Sequence, residues 1–281
     1  MSEPITQHEE EPLKLTNEQI VSEVTRLVSL APATEIDSVI RDIQALCSGI
    51  AAVNEALPSI CKTYNEQNLC LVPAAEDFVI LSKHSSLGSN EYISTKEDLI
   101  VTIDHVARKV TNTRRLEEAD KPSRPGYAEL CDAVYKMHVE NYPGAPSCVW
   151  PTDDGFAIAL VAEKISAKNF YTGSIRSLYT VSNGVVSGRM WGMTHMFEGG
   201  NVQMDIGRNL KPTKAVNPDE VVWAISEFEE GALADVETTL EELSERQFKA
   251  LRRALPITKT RLDWDKVAHD HVAAQLGARG K

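Results

Sequence analysis

The sequence predicts an α+β fold: an N-terminal three-helix bundle, a middle β segment, an antiparallel five-stranded sheet covered by a long helix, and a C-terminal amphipathic helix. Three observations carry this. Apolar residues recur at helical spacing in three successive stretches of the first 66 residues. Five strand-like runs between residues 147 and 208 follow one another too closely for the crossovers that parallel strands need. From Val221 to Leu243 an apolar ladder steps by three or four without a break.

Taken in order, residues 1–15 are polar, with Glu9, Glu10 and Glu11 in a row, and read as a disordered acidic tail. Thr16 and Gln19 form a capping box ahead of Ile20, Val24, Leu27 and Val28, so a helix starts there. Pro32 ends it. Thr34, with Asp37 three residues on, opens a second helix with Ile36, Ile40, Ile43 and Cys47 on one face. A third, from about Ile50 to Tyr64, completes an up-down-up stalk over residues 16–66.

Residues 67–111 form the middle β segment, with strand-like Phe78–Leu81 and Leu99–Ile103 around a Gly88-Ser89-Asn90 turn signal. Residues 112–261 hold the rest of the main body. Within them, 112–126, with Arg114, Arg115, Pro122 and Pro125, reads as a loop, and Tyr127–Asn141 as a helix stopped by Pro143. Candidate strands are 147–150, 156–166, 172–182, 185–197 and 200–208. Asn183-Gly184 predicts a two-residue type I′ hairpin, because both residues tolerate the positive φ this turn requires. Asn217-Pro218-Asp219-Glu220 places Asn at a cap, Pro first and Glu third, and opens a helix of about seven turns. Residues 262–281 are the C-terminal amphipathic segment.

Composition narrows the function. The chain has 281 residues and 42% are hydrophobic, enough for a sizeable core. A net charge of −12 disfavours whole-surface attraction to nucleic acid or anionic membranes. The five cysteines (Cys47, Cys61, Cys70, Cys131 and Cys148) are odd in number and widely spaced, so reduced thiols are expected rather than a disulfide framework or a zinc site. The N-terminus lacks a signal-type apolar segment, and no run approaches the ~18 apolar residues of a membrane span, which points to the cytosol.

No phosphate-binding loop, dinucleotide fingerprint, nucleophile elbow or zinc-protease motif occurs. His84, His105 and His195 fall in or at the ends of strands, where a lone histidine is ordinarily a hydrogen-bonded structural residue. His269 and His271 diverge on a helix, and Asp153-Asp154 reads as a solvated turn. No catalytic set, metal site or cofactor is expected, and the chain is not read as an enzyme.

Charge is the more telling signal. Residues 217–245 contain ten acids and no Lys or Arg, whereas 246–261 contain six bases and no acid. Compensation of the helix C-terminus accounts for Arg252 and Arg253 but not for Lys259 and Arg261, which lie beyond Pro256. A docking patch for an acidic partner is the other reading. Trp264, Val267, Ala268, Val272 and Leu276 then share one helical stripe, either packed on the chain's own sheet or laid into a partner's groove. A binder of phosphoinositide or nucleic acid is the alternative use of the basic segment. Base-stacking platforms need aromatics, and residues 246–261 hold only Phe248.

The run from Phe248 through Leu255-Pro256-Ile257-Thr258 to Trp264 resembles the signature of F-actin capping protein α subunits. Similar motifs follow the family's order: Leu30-Ala31-Pro32 with Glu35-Ile36 and Asp42-Ile43, His84 with Leu87-Gly88, Asp104-His105, Asn141-Tyr142-Pro143, Ala167–Phe170, Gly173 with Arg176-Ser177, and Glu198 with Gly200–Gln203. The resemblance covers about residues 17–277. It implies a heterodimer with a capping protein β subunit, the two sheets joined edge to edge. It further implies calcium-independent binding of the filament barbed end, a block on subunit exchange, a place in the cytoplasmic actin cytoskeleton, and phosphoinositide regulation. The implied actin-binding residues are Lys249, Arg252, Arg253, Lys259 and Arg261, with Trp264, Val267, Val272 and Leu276 on a C-terminal "tentacle". Lys259 stands where the family usually has Arg, which keeps the charge but loses the bidentate fork.

Overall fold

Helix α1 (Asn17–Leu30) begins at the capping box, with the Gln19 amide donating to Thr16 Oγ1 at 3.3 Å and the Thr16 amide to Gln19 Oε1 at 2.8 Å. The structure, a computed structural model, describes residues 15–74, 77–94, 99–117, 124–166, 168, 171–196 and 202–242. The chain divides into two compact units, residues 1–230 and 231–281.

Helix α2 (Ile36–Leu46) starts one residue later than a cap at Thr34 implies. Glu35 occupies the cap position and makes no capping bond. With α3 (Ala51–Gln67) these helices bury Val24, Val28, Ile36, Ile40, Ile43, Val53, Leu57 and Cys61 in one core. The buried Tyr64 hydroxyl donates to the Ala31 carbonyl at 2.6 Å and pins the α1–α2 junction to α3.

The middle segment is richer in strands than the sequence predicts. β1 (Leu71–Ala74) and β2 (Asp77–Ile80) form an antiparallel pair. β3 (Ser86–Gly88), β4 (Glu91–Ser94), β5 (Leu99–Asp104) and β6 (Lys109–Arg115) form a four-stranded sheet in that order. Arg114 and Arg115 therefore lie on a strand rather than in a loop. β6 is an edge strand with most residues exposed, so its sequence KVTNTRR carries no apolar alternation.

Helix α4 (Tyr127–Asn141) leads into a meander of β7 (Ser147–Thr152), β8 (Gly155–Ser166), β9 (Tyr171–Ser182), β10 (Val185–Met196) and β11 (Val202–Lys214). Their spatial order is their chain order reversed, β11-β10-β9-β8-β7. Asn183 at φ 51° and Gly184 at φ 71° make the predicted hairpin. One face of the sheet (Ile158, Leu160, Tyr179, Val186) packs on α4 through Leu130 and Val134. It also packs on α5 (Pro218–Glu242) through Val221, Ala224 and Ile225. The other face buries Trp150, Ala157, Ala159 and Val161 against Leu69 and Ile80. The sheet thus buries apolar positions on both faces, and each covering layer turns its apolar positions toward it.

Candidate functional site

The predicted actin-binding residues Lys249, Arg252, Arg253, Lys259, Arg261, Trp264, Val267, Val272 and Leu276 all lie outside the described residues, as do His269 and His271. What the structure describes is the element that precedes them and the surfaces beside it.

Helix α5 starts as its sequence dictates: the Glu220 amide donates to Asn217 Oδ1 at 2.9 Å, and the Val216 amide to Glu220 Oε2 at 2.7 Å. Eleven residues into the helix, Glu229 is 2% exposed. Its carboxyl accepts from Ser177 Oγ at 2.5 Å, Tyr179 OH at 2.8 Å and Tyr142 OH at 3.4 Å. Burial pushes the Glu229 carboxyl up from the usual carboxylate range, against those three donors. Burial, with the nearby carboxylate, also raises the Tyr179 and Tyr142 phenols. The arrangement holds a helix rather than performing chemistry: donors from β9 and from the residue capping α4 converge on one point of α5 and set its register on the sheet. Sequence reading missed Glu229. Its signal was an acid one turn after Ile225 and two after Val221, squarely on the apolar stripe.

The two edges of the large sheet differ. At β7, Tyr127 OH donates to the Val149 carbonyl at 3.1 Å, and Arg124 Nη1 donates to the carbonyls of Thr152 and Asp153. Side chains thus cap carbonyls along that edge and at its turn. β11 runs 13 residues, mostly exposed, and among the described residues no strand pairs with its outer edge. On the bundle, Leu27, Leu30 and Leu46 are 46%, 62% and 83% exposed. Long edge strands and exposed apolar side chains are surfaces at which chains commonly associate.

The described strand-end histidines are engaged in hydrogen bonds or ring contacts. His105 Nε2 lies 3.2 Å from Tyr92 OH, and Asn65 Nδ2 donates to the His105 carbonyl at 3.0 Å. Burial holds the His84 and His105 imidazoles below the ordinary histidine range. His195 pairs with Glu35 across 160 positions. Asp153 and Asp154 form the β7–β8 turn. All five cysteines are free thiols. Among the described residues no group of three or more His, Cys, Asp or Glu is placed to hold a metal, and no helix is long and apolar enough to cross a membrane. Among the described residues, a cavity of about 180 Å³ between β2, β4, α4 and β7 is lined by a single acid, Asp77, and no histidine.

Comparison with known proteins adds the family. A family model described as F-actin capping protein alpha subunit matches residues 24–275. A relative named F-actin-capping protein subunit alpha from Chaetomium thermophilum is 30% identical over 259 residues, covering 89% of this chain and 93% of that one. Relatives of the same name from Dictyostelium discoideum and Saccharomyces cerevisiae are 28% and 27% identical, covering 93% and 92% of this chain and 99% and 97% of theirs. A solved structure, the homodimeric actin capping protein alpha subunit from Plasmodium berghei, superposes with a TM-score of 0.67 at 18% identity, over 86% of this chain and 99% of that one. These names denote capping subunits and not enzymes.

Proposed function

The chain belongs to the F-actin capping protein alpha subunit family, and from that membership we propose that it pairs with a capping protein beta subunit and, as a heterodimer, binds filament barbed ends. It does so independently of calcium and blocks subunit exchange there. The observation that carries this reading is the reach of the family match: residues 24–275 take in the basic segment and nearly all of the apolar stripe after it. Lys249, Arg252, Arg253, Lys259 and Arg261 offer positive charge to an acidic filament end. Trp264, Val267, Val272 and Leu276 offer apolar surface, within a C-terminal tentacle over residues 262–281. The outer edge of β11, unpaired among the described residues, and the exposed leucines of the bundle support the partner half of the reading. Phosphoinositide headgroups fit the same basic residues and compete with the filament for them. The place of action is the cytoplasmic actin cytoskeleton.

Co-purification with candidate beta chains, then single-filament elongation microscopy, tests the proposal. The expected complex stops growth at barbed ends and leaves pointed ends growing. A complex that leaves both ends growing overturns it. A capping-competent dimer of this chain alone replaces the beta partner by a second copy, the assembly described for the Plasmodium berghei protein.

A further inference from the structure

We propose that His105 is a proton-sensitive latch, which with its hydrogen on Nε2 fastens the β5–β6 turn to helix α3 and releases it on acidification. The residue follows β5 directly and opens that turn. The turn is seated on the bundle at three points. Val106 packs against the bundle core. Arg108, at φ 49°, gives Asp37 of α2 a two-pronged bond, 2.7 Å from each nitrogen. His105, 4% exposed, meets α3 through the fully buried Asn65 and, by way of Tyr92 on β4, through Glu66.

One assignment of hydrogens satisfies these contacts. Asn65 Nδ2 donates to the His105 carbonyl at 3.0 Å, which fixes the orientation of the amide. The same nitrogen lies 3.4 Å from His105 Nδ1, so that ring nitrogen receives a hydrogen and carries none. The Tyr92 hydroxyl donates to Glu66 Oε1 at 2.6 Å. Burial and the Glu66 carboxylate push the phenol up, so it keeps that hydrogen. With the hydroxyl hydrogen committed to Glu66, the 3.2 Å contact between Tyr92 OH and His105 Nε2 is a bond donated by the ring. Asn65, His105, Tyr92 and Glu66 thus form one chain of bonds from α3 through the turn and β4 back to α3.

A proton on Nδ1 breaks this order, because it sets an N–H against the N–H of Asn65. Turning the amide over would offer Oδ1, unpartnered among the described residues, to the new donor. It would also aim that oxygen at the His105 carbonyl, so neither orientation serves both groups. The charged groups around the ring are Lys62 and Glu66 on α3 and Asp104 at the end of β5. Glu66 is bonded by Tyr92, and Asp104 accepts from the Val106 and Ala107 amides. Burial, with Lys62, holds the imidazole below the ordinary histidine range against the two acids. The unfolded chain takes up the proton near pH ~6.5. The latch therefore contributes fully above that pH, and its contribution is lost as pH falls below it.

Hydrogen exchange on the full chain, with its partner bound where it needs one, tests the latch. Amides of residues 61–67, 91–94 and 99–107 are compared at pH 5 and pH 7 after correction for the intrinsic exchange rate. The expected result is protection lower at pH 5 by about twofold to tenfold, the scale of one hydrogen bond. His105→Gln, which donates but cannot charge, should abolish the contrast. A contrast that survives in this variant overturns the proposal, as does its absence from the unaltered chain. Should the variant fail to fold, nitrogen NMR of the histidine rings in the unaltered chain decides. The expected His105 ring at pH 7 has a protonated Nε2 and a bare Nδ1. The opposite tautomer, or an imidazolium that forms with no loss of protection, overturns the proposal.

Discussion

Glu229 shows how one side chain can set the position of a whole helix. Its carboxyl is buried, yet three hydroxyls meet it, so removing it strands the donors from Ser177 and Tyr179 in the core. Glu229→Ala should cost about 2–4 kcal/mol in urea unfolding, from the unsatisfied hydroxyls and the cavity together. Burial raises its proton affinity in the folded state. A group so raised adds stability that is full below the ordinary carboxylate range and is lost as pH climbs through the raised value. Unfolding midpoints should therefore fall as pH rises above the ordinary carboxylate range, and Glu229→Gln, which cannot ionise, should flatten that fall. An equal slope in both proteins would show that some other group dominates.

Strands carry constraints of a different kind, set by how closely backbones approach. A Cβ at Gly188 on β10 would lie 2.3 Å from the Leu178 carbonyl oxygen and 2.7 Å from Tyr179 Cα, both main chain of the neighbouring strand. The register also shifts between Val186 and Gly188, where β10 meets β11. Gly188→Ala must displace backbone and should cost at least about 2 kcal/mol. Gly207, on the edge strand β11, has nothing within 4 Å of the same position. Gly207→Ala should change stability by less than about 0.5 kcal/mol. Thermal unfolding of the two variants side by side checks the contrast, and equal losses would refute it.

For the whole molecule, the outer edge of β11, unpaired among the described residues, and the exposed Leu27, Leu30 and Leu46 predict that the chain alone self-associates. Light scattering should show dimers or larger species; a monodisperse monomer would contradict this. In the capping complex, charge and apolar surface should separate kinetically. Changing Lys249, Arg253 and Lys259 to Ala should slow capping and flatten its salt dependence, because steering charges act on association and are screened. With each exposed pair contributing ~0.2–1 kcal/mol, the three together should weaken capping by about tenfold to a hundredfold. Truncation after Asp263 should leave arrival nearly intact and shorten cap lifetime, because buried apolar surface acts mostly on dissociation. Single-filament microscopy reads both rates, and the reverse pattern would invert the roles.

What the sequence determined by itself rests on forces that act within four residues. The Thr16–Gln19 box, the Asn217–Glu220 start and the positive φ of Asn183-Gly184 place their elements without reference to the rest of the chain. Apolar periodicity added which face of α5 is buried. The basic segment and the stripe after it were legible for the same reason, as local patterns of charge and spacing. Tertiary structure alone decided the rest. It turned Glu35 from a cap into a bond to strands more than 130 positions away, and drew Glu229 into the core. It made KVTNTRR a strand by pairing it with β5, and capped main-chain carbonyls at one edge of the large sheet while no described strand pairs with the other. Each of these outcomes depends on a partner supplied from elsewhere in the chain, and a hydrogen bond to a distant residue leaves no periodic trace at either end.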